Sequence, residues 1–139
     1  MRSKSLLVSN ILSTLYSLFL LWIFGGAIIA AGGLDYIYFM QDYFSLVFNL
    51  IGYSTVSVTV LYVVLILLLL HIFAFTLGFI FAWIGYGVKS SGLAKFSAVL
   101  FLIGTLCFPI YIFPCLPLTI LAFVGGNNQK KINTAQSNQ

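Results

Sequence analysis

Three apolar stretches, at roughly 6–31, 43–88 and 96–126, divide the chain, and charged side chains stand only before, between and after them. Each is longer than the about 20 residues that a helix needs to cross a bilayer. A two-sided helical pattern occurs at 36–52. There Tyr36, Met40, Tyr43, Phe44, Val47, Phe48 and Ile51 recur at helical spacing, while Gln41, Asp42, Ser45, Asn49 and Gly52 gather opposite. This segment reads as an amphipathic helix at the membrane–water interface. Tyr36, Met40, Tyr43, Phe44 and Phe48 then form either an anchoring aromatic belt or a docking face for a partner.

The last apolar stretch contains Pro109, Pro114 and Pro117. Proline removes a backbone donor and clashes with the preceding turn, so the spacing predicts a turn and two short helices. Each has about 15 residues and spans about 22 Å, against about 30 Å of hydrocarbon. Such a hairpin thins the bilayer locally or re-enters from one side. The pattern predicts an all-α integral membrane protein with four transmembrane helices: two long ones, at about 6–31 and 58–87, then a Pro-turned hairpin of 93–108 and 112–126. The interfacial helix at 36–52 lies on the outer side. Residues 1–127 form the transmembrane domain and 128–139 a disordered cytoplasmic tail.

Charge orients this scheme. Arg2, Lys4, Lys89, Lys95, Lys130 and Lys131 are the cations, Asp35 and Asp42 the acids. Cations favour the cytoplasmic side of short loops, which places both termini and the 88–95 loop inside and both acids outside. Two rival schemes work against the rule. Three crossings export Lys130 and Lys131, whereas a crossing at 36–54 buries Asp42 and exports Lys89 and Lys95. The apolar run after Lys4 has about 26 residues, well beyond the 7–15 of a signal peptide, and reads as a retained anchor.

Composition agrees. The 139 residues are 62% hydrophobic and 6% charged, against about 25% charged in a soluble domain. A soluble fold, a disordered chain, a coiled coil and a nucleic-acid binder are excluded. The expected location is the cell membrane, with the lipid bilayer as the first partner.

Few residues suggest chemistry. Ser9, Ser13 and Ser17, with Gly25 extending the row, and Ala74, Gly78, Ala82 and Gly85 form stripes that let helix backbones approach closely, within one bundle, a homo-oligomer or a partner complex. His71 is the one ionisable group expected near the bilayer midplane, on the face of Ala74. It reads as a neutral imidazole bonded to a serine, threonine or carbonyl of a neighbouring helix, or as a functional intramembrane site. Cys107 and Cys115 flank the proline turn. A hairpin brings their Cα atoms within disulfide reach of about 5.5 Å, but two free thiols are expected. No catalytic motif, metal-ligand set or cofactor fingerprint is present.

The basic N-terminus, single anchor, outer segment, return helix, Lys89-Ser-Ser-Gly-Leu-Ala-Lys95 loop, proline-turned hairpin and terminal lysines together form a pattern. It resembles that of small, functionally uncharacterised four-pass membrane proteins common in Gram-positive bacteria. The resemblance implies the fold and no activity. Three functions are open. The chain is a non-enzymatic accessory protein binding another membrane protein or peptide, with an immunity protein as a special case. It is instead a transport or channel subunit whose oligomer lines a pore near His71, or a membrane thiol-redox protein.

Overall fold

A computed structural model of the chain describes residues 2–26, 38, 42, 45, 46, 49 and 58–138. These residues contain four long helices: α1, Lys4–Leu20, continued by one π-helical turn at Leu21–Gly25; α2, Val58–Gly87; α3, Ser91–Cys107; and α4, Ile112–Ser137. A 3₁₀ turn at Pro109–Tyr111 joins the last two. Lys4–Gly25, Val63–Gly87 and Pro109–Ser137 are long and apolar enough to cross a membrane, while α3 is a shorter apolar helix. Tyr38, Asp42, Ser45, Leu46 and Asn49 are each helical. The belt residues Tyr36, Met40, Tyr43, Phe44 and Phe48 lie outside the described residues, as does the expected end of the first helix at 27–31.

Local chemistry sets the helix ends. Ser3 caps α1 by accepting the Leu6 N–H, and Ser90 caps α3 by accepting the Leu93 N–H. Between α2 and α3 the chain reverses through Lys89, whose φ of 56° is left-handed. The Ser90 N–H there returns to the Gly85 carbonyl at 2.9 Å. Pro109 opens the 3₁₀ turn, where its missing N–H costs nothing. The other two prolines do not belong to the turn. Pro114 sits in the first turn of α4, where donors are free in any case, and Pro117 lies inside that helix.

Adjacent helices run antiparallel around a ring, with α1 beside α2 and α4, and α3 beside the same two. Asn10 meets Ala82 while Ser17 meets Phe75, which fixes the α1–α2 direction. Ser3 and Ser5 meet Gln129 and Asn128, which fixes α1 against α4. The core runs through Leu20, Phe75, Ala82, Ala98, Phe101, Cys115, Leu118 and Ala122.

The expected disordered tail is instead helical to Ser137. Its polar side chains tie it to the bundle. Gln129 Oε1 accepts the Ser3 N–H at 3.0 Å, and Asn133 Nδ2 donates to the Lys89 carbonyl at 2.8 Å. Gln129 Nε2 also donates to Asn133 Oδ1, one turn on. Polar composition here marks specific contacts.

Candidate functional site

Ten polar side chains are buried among the described residues: Ser3, Ser9, Asn10, Ser13, Ser17, His71, Ser97, Thr105, Thr119 and Gln129. Four belong to the inner face of α1 and a fifth, Ser3, caps it, and Ser3 to Ser17 covers about 21 Å along the axis. Several satisfy themselves locally. Ser13, Ser97, Thr105 and Thr119 each donate to a carbonyl three or four residues earlier, at 2.7–2.9 Å. Asn10 reaches across to the Ala82 carbonyl at 3.0 Å, whereas its Oδ1 and the Ser9 hydroxyl have no partner.

His71 stands where this seam ends. Its side chain is fully buried. Nδ1 lies 2.7 Å from the Gly104 carbonyl on α3, and Nε2 lies 2.8 Å from the Tyr16 hydroxyl on α1. A carbonyl only accepts, so Nδ1 carries the proton; in the neutral ring Nε2 then accepts from the tyrosine O–H. The sequence reading offered a carbonyl of a neighbouring helix as a partner, and Gly104 is one. The second partner of His71, Tyr16, is harder to read, because in an apolar run a tyrosine passes as bulk. Its position beside Ser17 in the serine row was the available signal.

Aromatic rings close the pair off. Phe75 lies 4.8 Å from the imidazole by centroids, Phe108 5.9 Å and Tyr111 6.0 Å, the last stacked. The Cys115 thiol faces the Tyr16 and Thr105 hydroxyls. Three helices and the proline turn therefore converge on one histidine, and Cys115 lies beside its partner Tyr16. Cys107 and Cys115 are both free thiols, the first half-buried and the second buried. No group of three or more metal-ligating side chains exists among the described residues.

No family model matches the chain, and no curated protein or solved structure matches it either.

The small-residue stripes lie inside this same bundle. Ser9, Ser13, Ser17, Ala74, Gly78, Ala82 and Gly85 are buried. A Cβ on Gly78 would come 2.5 Å from the Phe101 ring, and one on Gly85 2.9 Å from the Ala94 backbone nitrogen. Gly25 is the exception, with nothing within 4 Å. The π turn at 21–25 shifts the helix phase, so the row of serines does not continue onto it. Three further glycines make close contacts. Gly104 abuts Phe75, Gly126 abuts Lys95, and Gly125 lies against Leu6 with 2.7 Å from its Cβ position to the Leu6 Cα. Gly125-Gly126 is therefore a helix-packing site within α4.

Proposed function

We propose that this chain is a four-pass protein of the cell membrane, with both termini cytoplasmic, that acts without catalysis by binding another membrane protein or peptide. An immunity-type protein is a special case. One observation carries the reading: the small and polar residues are spent inside a single bundle, and large apolar side chains cover its outside. Trp22, Phe73, Leu106 and Phe113 are all exposed. A partner helix must then bring the small residues itself and seat these side chains as knobs. The self-packed stripes no longer argue for a homo-oligomer. At 17 residues, α3 reaches about 26 Å, so its hairpin either thins the bilayer or re-enters. The resemblance to small four-pass bacterial proteins rests on the same architecture.

Photoreactive side chains at Phe73 and Phe113 test this, with buried Leu68 as the control. Adducts to one protein at the exposed positions, and none at Leu68, support the reading. Adducts to lipid alone overturn it.

A second reading, transport, draws support from the His71–Tyr16 bond and the polar seam leading to it. Because His71 is enclosed within one chain, a route would run through the single bundle and not between copies. The thiol-redox reading draws on Cys115 beside Tyr16 alone, and its companion Cys107 is unpaired.

A further inference from the structure

The bundle gathers all six of its basic side chains at one end. Three contacts give the depth. The Gly126 Cβ position lies 3.0 Å from Lys95 Cγ. The Ser3 N–H donates to Gln129, with Arg2 and Lys4 on either side of Ser3. The Lys89 carbonyl accepts from Asn133. Lys130 and Lys131 fall between these levels. From Gly126 to Asn133 is seven residues along α4, or about 10 Å. A layer of this depth covers the headgroup zone, about 5–8 Å on each side of the hydrocarbon, and reaches a little beyond it.

The charges in this layer are unbalanced. Six cations face only Asp35 and Asp42 in the whole sequence, so at least four have no side-chain carboxylate to pair with. Arg2 and the backbone that carries Lys130 and Lys131 are also held in place. Arg2 donates to the Gly87 carbonyl at 3.4 Å and lies 5.1 Å over the Tyr86 ring. The bonds of Gln129 and Asn133 fix the helical tail from which Lys130 and Lys131 project. A disordered basic tail would spread its charge, whereas this one holds it in a ring around the bundle.

We infer that this basic collar binds the anionic headgroups of the surrounding phospholipid leaflet. Phosphate monoanions there supply the counter-charge that the chain lacks. The inference rests on the membrane reading and goes beyond it by naming the lipid class.

Thermal unfolding of the purified full chain in dodecyl maltoside tests it, titrated with phosphatidylglycerol or phosphatidylcholine. Phosphatidylglycerol should stabilise at a concentration at least about tenfold lower than phosphatidylcholine. That preference should collapse in 1 M salt, where the screening length falls to about 3 Å. It should also shrink in a Lys89→Gln, Lys95→Gln, Lys130→Gln, Lys131→Gln variant. Equal stabilisation by the two lipids overturns the proposal, as does equal stabilisation by inorganic phosphate. Flotation with vesicles separates the two levels. A chain that floats equally with neutral and anionic vesicles loses the collar alone, and one that floats with neither loses the membrane reading as well.

Discussion

His71→Leu removes two hydrogen bonds that do not matter equally. The Gly104 carbonyl also accepts the Phe108 N–H at 3.3 Å, so it keeps a partner. The Tyr16 hydroxyl loses the acceptor on its donor side and keeps only the weak Cys115 thiol as a polar neighbour, with Phe75 against its ring. The loss expected is about 1–2 kcal/mol, the cost of orphaning a buried polar group. His71→Gln retains one donor and one acceptor and should unfold in detergent close to the parent. If the transport reading holds, proton flux into liposomes made with His71→Gln falls while its melting temperature stays put. If flux is absent from the parent as well, the histidine is a bolt between α1, α2 and α3.

At the scale of helices, glycine decides how closely the bundle closes, and not all glycines are equal. A methyl at Gly125 would meet the Leu6 backbone at 2.7 and 2.8 Å, which only separation of α1 from α4 relieves. A methyl at Gly78 meets the Phe101 ring, which is stacked on Phe75 at 5.2 Å and fully buried, but a ring yields more easily than a backbone. Gly125→Ala should therefore destabilise more than Gly78→Ala, within the about 1–3 kcal/mol typical of overpacking. Gly78→Leu should exceed Leu77→Ala, since Leu77 is only half-buried. Melting curves of these four variants and of Gly25→Ala order them directly, and equal values for Gly125→Ala and Gly25→Ala would contradict the α1–α4 contact.

The same helices show what could be read ahead of the structure. Val58–Gly87 matches the expected 58–87 because hydrophobicity and a terminal glycine both mark it. The serine row was legible from its four-residue spacing. Gly125 and the helical tail were not, because their partners, Leu6 and Ser3, stand more than a hundred residues away. Pairing across that distance leaves no trace in local pattern.

For the molecule as a whole, the bonds at the basic end turn topology into a constrained test. Ser3, Lys89 and Asn133 are joined through Gln129 and the tail, so α1 begins and α4 ends on the same side. Gly92 and Ser137 must then share a compartment. Single cysteines at Asn49, Gly92 and Ser137, on a background with Cys107→Ala and Cys115→Ala, probe this with a membrane-impermeant maleimide. All three positions are exposed. Gly92 has only the Ser90 Oγ near its Cβ position, at 3.7 Å, so it accepts a side chain. Ser3 is a poor site, because it is buried and caps α1. With the basic end inside, intact cells should label Asn49→Cys alone, and permeabilised cells all three. Labelling of Gly92→Cys and Ser137→Cys but not Asn49→Cys would invert the protein and break the loop-charge rule. Labelling of Ser137→Cys without Gly92→Cys would go further, since it separates two positions that the hydrogen bonds hold at one end, and the four-helix arrangement itself would fall.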